Sequence, residues 1–282
     1  MTQLGAETKP LADESLVVTD GFGAGLGRTP EGWCLAALIR PDIDDAYRET
    51  QPAMWNAQPD VLRSGRTLAG WLEAKRRPIS RIVLLRESQS ADEAQTLAEG
   101  ECMDGPAVAL DAPHALVAWT GRAGDGWRLQ VHDGRNLHAA LESTQPLGRP
   151  AVTAIGDQWL AAAQRYTPDG PEVVLCRSGG TDPQTFGPAR NPSLASCGER
   201  WRFAFEMLTD HGTRIVIVHG DGNGATERHE VPAADDLNLA ARMVMDEQRT
   251  YLSHEACPMW GFDEQFGRHR TIHLWRFDHG SD

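Results

Sequence analysis

Residues 150–180, PAVTAIGDQWLAAAQRYTPDGPEVVLCRSGG, decide the fold, because closely similar stretches lie on both sides of them. Residues 106–134 and 192–222 repeat the same order of alternating strand, polar turn, second strand, turn and β-branched third strand. The three copies start 44 and 42 residues apart, and Trp159 and Trp201 open the second strand at the same place. A repeat of this length, built of short strands, is typical of the blades of a β-propeller.

Two weaker copies extend the pattern to both ends of the chain. One comprises residues 238–256 and 267–278, and the other comprises residues 15–21, 32–40 and 80–88. Five copies predict five blades, each beginning with a strand next to a central channel.

A fourth, outermost strand is predicted after each third strand except the last. The four segments that could form it are 92–99, 137–144, 184–190 and 225–232. The last copy has none, and residues 2–9 precede the first copy in the order that the other junctions have. We therefore expect an all-β, five-bladed β-propeller of four-stranded antiparallel blades in a single domain, residues 1–282, with the ring closed by the N-terminal strand.

Composition excludes several classes of function. The 282 residues include 40 acids and 27 bases, a net charge of −13, which disfavours nucleic acid or an anionic membrane as partner. No apolar run is long enough to span a membrane, and the N-terminus does not resemble a secretion signal. Five cysteines without a C-x-x-C pair favour a reduced, cytoplasmic location.

Two connections between the second and third strands are long, and long ordered loops are often functional. They are residues 41–79 and 253–268, which neighbouring blades of a closed ring would carry side by side. Tryptophan suits stacking on a flat, polar ligand such as a sugar, and carboxylates accept its hydroxyl groups. The predicted ligand-binding residues on these loops are Trp55, Trp71, His254, Trp260 and Asp263, and the shorter connection 208–212 adds Asp210.

The links that lead into each first strand are expected at the same channel mouth. They carry Asp13, Glu14, Asp104, Arg149, Asn191, Asp235 and Asp236. Converging carboxylates would suit general acid–base chemistry, and a divalent cation in the channel equally well. Arg149 is a predicted ligand-binding residue. Asp and Asn are also common in turns for conformational reasons alone.

Residues 173–193 resemble the blade repeat of sialidases and their relatives. Ser178, Thr185 and Phe186 match the Asp box of that family, Ser-x-Asp-x-Gly-x-Thr-Trp/Phe, in type and order, while Asp182 and Gly180 are present in swapped order. The resemblance implies a propeller in which this segment has a structural role, away from any catalytic face.

With five predicted blades, the chain resembles instead the arabinanase and levansucrase-like glycosidases. In that family the catalytic acids lie on inner strands around the channel. By location alone, Asp13, Asp104 and Glu255 are the corresponding candidate catalytic residues.

Other motifs are better explained by turns and exposed strands. GFGAGLG (21–27) is not followed by a helix, so we interpret it as the turn between the first two strands rather than as a nucleotide site. His138 and His229 are expected on outermost strands in solvent, and no sequence motif predicts a metal site or a bound cofactor.

Three functions remain open at this point. The first is binding of a small polar ligand, sugar-like or peptide-like, at the channel mouth, with little or no catalysis. The second is a carbohydrate-processing enzyme that uses inner-strand carboxylates. The third is a protein–protein interaction scaffold, because the propeller fold alone does not decide function.

Overall fold

The computed structural model describes residues 21–39, 79–89, 93–180, 182–222, 224–258 and 271–279. These residues form nineteen antiparallel strands in five sheets. Sheet 1 contains β1 (Gly21–Thr29), β2 (Gly32–Ile39), β3 (Ile79–Arg86) and β4 (Gln95–Glu101). Sheet 2 contains β5 (Asp104–Val108), β6 (Val117–Ala123), β7 (Gly126–His132) and β8 (Leu137–Ser143).

The remaining three sheets follow in chain order. Sheet 3 contains β9 (Leu147–Ile155), β10 (Gln158–Thr167), β11 (Gly170–Arg177) and β12 (Gln184–Phe186). Sheet 4 contains β13 (Ala189–Cys197), β14 (Arg200–Thr209), β15 (Gly212–Asp221) and β16 (Gly224–Glu230). Sheet 5 contains β17 (Leu237–Met245), β18 (Arg249–Cys257) and β19 (Thr271–Asp278).

The sheets follow one another as the blades of a β-propeller do. In every sheet the strands pair in the order in which they occur in the chain. The first strand of each sheet contacts the first strand of the next, from β1 through to β17. The repeat pattern therefore predicted the all-β class and the antiparallel sheets correctly, whereas the first strand of sheet 1 lies later in the chain than predicted.

Four clusters of buried apolar side chains hold consecutive sheets together. Trp119 is the largest buried side chain of the cluster between sheets 1 and 2. Phe203 and Phe205 are buried between sheets 3 and 4, where Phe186 packs against both rings. Within the described residues no such cluster joins sheet 5 to sheet 1, and sheet 5 has three strands. The predicted closing strand, residues 2–9, lies outside the described residues.

The interpretation of residues 21–27 as a turn was wrong, because they form most of β1, the first strand of sheet 1. The glycines permit a close approach to β5. A Cβ on Gly27 would lie 2.5 Å from the carbonyl oxygen of Ala109, and one on Gly25 would lie 2.8 Å from Cγ2 of Val108. The strand predicted over residues 15–21 thus lies almost wholly outside the described residues. The first strand of sheet 1, β1, begins at the last residue of that segment, Gly21.

A β-bulge recurs in every first strand, where the chain enters the sheet. The bulge residue has a positive φ in four sheets: Gly105, Arg149, Asn191 and Ala240. A bulge leaves an amide outside the ladder of its own sheet, so that amide needs another acceptor.

Polar side chains supply these acceptors. Asp104 Oδ2 in sheet 2 accepts from the amide of Arg149 in sheet 3, at 2.6 Å. Gln164 Oε1 in sheet 3 accepts from the amide of Asn191 in sheet 4, at 3.1 Å. The first strands of sheets 3 and 4 are thereby bonded to the sheet before them, and the Ala240 amide of sheet 5 is bonded to Glu206 of sheet 4 in the same way.

Candidate functional site

A cavity of about 690 Å³ lies where the first strands of all five sheets come together. Bulge residues line it near the start of the strands, and residues of the turns between first and second strands line it near their end. Its volume lies in the range of small-molecule sites in proteins. This cavity corresponds to the central channel that the repeat predicted.

The start of the strands gives the cavity its positively charged groups. Arg149 and Arg242 are exposed and line it, and no ion pair with either is found in the described part of the chain. Arg242 Nη1 donates to the carbonyl oxygen of Ala241 at 2.9 Å. Two guanidinium groups that pair with no described carboxylate favour a ligand that carries negative charge.

Asn191 also lines this cavity. Its Nδ2 donates to Glu206 Oε1 at 2.6 Å, which fixes the orientation of the amide. Its Oδ1 is buried and has no hydrogen-bond partner in the part of the chain described. A buried carbonyl oxygen without a donor costs free energy.

The two described carboxylates that line the cavity are both engaged. Asp104 Oδ1 accepts from the amide of Gly105 at 2.9 Å, and its Oδ2 accepts from the Arg149 amide. Asp111, at the other end, forms an ion pair with Arg28. Asp104 thus lies in the predicted place, where it holds the bulges of two sheets.

Glu206 is the buried anchor behind the bulges of sheets 4 and 5. Its side chain is fully buried, and its carboxylate accepts from Arg190 Nε at 2.7 Å and from Asn191 Nδ2. It also accepts from the amide of Ala240 at 2.7 Å. Sequence reasoning missed Glu206 because it lies within an apolar strand; the signal was the matching position of Gln164 in the preceding repeat.

Glu255 and His254 lie in β18 rather than in a loop, since that strand continues to Cys257. The expectation that the long connection begins at residue 253 was therefore wrong: the strand extends five residues further, to Cys257. His254 is 2% exposed, accepts a hydrogen bond from Trp275 Nε1 at Nε2, and lies in the sheet rather than in the cavity. Burial lowers the pKa of its imidazole.

Of the other predicted ligand-binding residues, none that the structure describes lines the cavity. Asp210 is exposed in the turn between β14 and β15 and does not line it. The predicted site residues outside the described residues are Asp13, Trp55, Trp71, Trp260 and Asp263. Their roles stay predictions. Arg242 was missed because the last copy has Ala240 and Ala241 in place of the residue–proline pair seen at Arg149 and Pro150.

A second cavity, of about 470 Å³, lies between sheets 2 and 3 near the turns that follow their first strands. Asp133 Oδ2 lies 2.6 Å from His138 Nε2, and the imidazole lies 5.9 Å from the Trp159 ring. Burial would raise the pKa of Asp133, but hydrogen bonds from the amides of Asn136 and Arg135 and from His138 outweigh it and lower the pKa to about 2. His138 is thus paired rather than simply solvated.

The five cysteines form no disulfide. Ser178, in the segment with the sialidase-like pattern, accepts a hydrogen bond from the Trp159 amide at the turn after β11. No helix among the described residues is long and apolar enough to cross a membrane.

Comparison with known proteins gives similarity of structure but not of sequence. The sequence matches no protein-family model and no curated protein. The β-propeller domain of the Trilobed protease from Pyrococcus furiosus is 10% identical over 90% of this chain and 68% of that chain, with a TM-score of 0.43. A GH43_1 enzyme from Xanthomonas citri is 11% identical over 92% and 88% of the two chains, with a TM-score of 0.37.

A third similar structure is the GH32 β-fructofuranosidase of Bombyx mori, 12% identical over 89% of this chain, with a TM-score of 0.41. This chain covers 59% of that enzyme. At such identities and TM-scores the likeness carries no inference about activity.

Proposed function

We propose that the protein binds a small polar ligand, sugar-like or peptide-like and bearing a negative charge, in the cavity between the five first strands. The observation that carries this proposal is the pair of exposed guanidinium groups, Arg149 and Arg242, which line a cavity of about 690 Å³ and form no ion pair with any described residue. Guanidinium groups bind carboxylate or phosphate, so the cavity favours a polar ligand with an acidic group.

Binding can be tested with glucuronate, glucose and the dipeptide Asp-Ala as probes. We expect a rise in melting temperature with an acidic probe and none with glucose, because a ligand of the folded state stabilises it by mass action. No shift with any probe at millimolar concentration would contradict the proposal.

Substitution locates the site. We expect Arg149→Ala and Arg242→Ala each to weaken binding of the acidic probe about tenfold in calorimetric titration, since each removes a charged hydrogen-bond donor. Arg228→Ala is the matched control, because Arg228 is exposed on β16, away from the cavity. Equal affinity in all three variants would place the ligand elsewhere.

The glycosidase and scaffold functions stay predictions. A glycosidase of either stereochemical type needs two carboxyl groups across the scissile bond. Of the described residues that line the cavity, only Asp104 and Asp111 carry carboxylates, and both are engaged as above. Geometry therefore favours binding over hydrolysis.

We also propose that the propeller is a closed ring of five blades and that Glu255 takes part in the closure. Glu255 pairs with Leu239 as Glu206 pairs with Arg190, so it occupies the position of the residues that bond the next bulge. The next first strand in a closed ring is β1, whose bulge lies between Gly21 and Gly23. A segment preceding β1 would complete sheet 5 beside β19, where Ile272 and Leu274 are 80% and 72% exposed.

Hydrogen exchange at the Phe22 amide tests this closure. In a closed ring we expect slow exchange in the wild type and at least tenfold faster exchange in Glu255→Ala, with the Asn191 amide unchanged as internal control. Fast exchange at Phe22 in both proteins would contradict the proposal. If Glu255 were instead a catalytic acid, Glu255→Ala would leave the exchange rate unaltered.

A further inference from the structure

Three side chains with metal-binding atoms meet on the outer half of sheet 4. His219 lies on β15, and Glu227 and His229 lie on β16. Glu227 pairs directly with His219, and His229 pairs with Ile217 two positions along. Because side chains alternate between the faces of a sheet, all three project from the same face.

Their donor atoms are close enough to share one ion. The three ligand atoms lie within 4.8 Å of one another. His229 Nε2 is 3.0 Å from Glu227 Oε1, and the two imidazole rings have centroids 4.7 Å apart. Tetrahedral zinc with bonds of about 2.0–2.1 Å places its ligands about 3.3 Å apart, so small side-chain rotations suffice.

The site lies beside sheet 5, and its surroundings carry charge. Arg202 on β14 pairs with His219, and its guanidinium lies 5.7 Å from the centre of the Phe277 ring. Burial, Arg202 and His229 lower the pKa of His219 to about 4, and His279 acts in the same direction while Glu227 opposes it. The positive charge of Arg202 reduces the affinity of the site for a cation. The negative charge of Glu227 offsets the charge of a bound cation.

We propose that His219, Glu227 and His229 form a binding site for one divalent transition-metal ion, of which Zn²⁺ fits best. Two imidazole nitrogens and one carboxylate oxygen are the donors that zinc and its neighbours prefer, whereas Ca²⁺ and Mg²⁺ require mostly oxygen. Glu227 and His229 are exposed, so a fourth position is open to water or to a donor from another molecule. This site is on the side of a blade and is independent of the central cavity.

Equilibrium dialysis with zinc chloride and absorption spectroscopy with cobalt chloride test the site, on protein without a histidine tag. We expect one tightly bound ion per chain, micromolar affinity, and a tetrahedral cobalt spectrum. Glu227→Gln and His229→Gln each should weaken binding at least tenfold. Both residues are exposed, so these variants should keep the melting temperature of the metal-free wild type.

His211→Gln is the matched control, since His211 is exposed in the turn between β14 and β15 of the same sheet, outside the cluster. We expect it to bind zinc as the wild type does, and magnesium chloride to compete with zinc in neither protein. Absence of zinc binding in the wild type would overturn the proposal. Zinc binding that is unchanged in His229→Gln, or equally weakened in His211→Gln, would overturn it as well.

Discussion

Glu206→Leu should lower the free energy of unfolding by about 3–5 kcal/mol, because it removes a buried carboxylate and leaves its donors without an acceptor. The donors that lose their partner are Arg190 Nε, Asn191 Nδ2 and the Ala240 amide. The last two belong to the bulges that join sheets 4 and 5 at the cavity. Urea unfolding followed by circular dichroism measures the effect.

Two further variants sharpen this prediction. Glu206→Gln keeps one carbonyl oxygen for the Asn191 and Ala240 donors but loses the charge that pairs with Arg190, so we expect an intermediate loss. Glu230→Gln is the control: Glu230 is exposed and lies 3.9 Å from Arg214, and such pairs contribute about 0–1 kcal/mol. A loss in Glu206→Leu no larger than that of Glu230→Gln would contradict an anchoring role.

Gly27→Ala should lower the free energy of unfolding by about 1–3 kcal/mol, the usual cost of overpacking. The added Cβ would lie 2.5 Å from the Ala109 carbonyl oxygen and closer still to Val108 Cγ1, and neither the backbone nor a β-branched side chain yields easily. β1 would have to move away from β5. Thermal and urea unfolding measure the loss.

Gly100→Ala in β4 is the matched control, because its Cβ would meet only Met103 Sδ, at 3.9 Å. We expect no loss there, since alanine also restricts the unfolded chain. Adding Val108→Ala to Gly27→Ala should recover part of the stability, while the clash with the carbonyl remains. A neutral Gly27→Ala would mean that residues 21–27 form a free turn after all.

The cavity and the zinc site differ in whether their residues can be identified from the sequence. Arg149 and Asn191 could be found because each precedes a proline at the same place in its repeat. His219, Glu227 and His229 could not, because the hydrogen-bond register of β15 and β16 decides which residues face each other. A shift of one residue would turn Glu227 and His229 to the opposite face.

Residues 21–27 show a second limit of sequence reasoning. Repeated glycine is typical of turns, and so local preference indicated a turn there. The packing of β1 against β5 overrides that preference, since only glycine lets the two strands approach so closely. Local sequence preference contains no information about a neighbour that lies some eighty residues further along the chain.

The sequence by itself determined the all-β class, the repeat of antiparallel sheets and four of the five strands that surround the cavity. Those features follow from the two-residue alternation of apolar side chains and from turn residues, which are local properties repeated every 42–44 residues. Tertiary structure alone decided which polar groups meet: Asp104 with the Arg149 amide, Glu206 with the Ala240 amide, His219 with Glu227. Such contacts join different strands or sheets, and their geometry depends on register, bulges and packing distance rather than on the residues nearby in the chain.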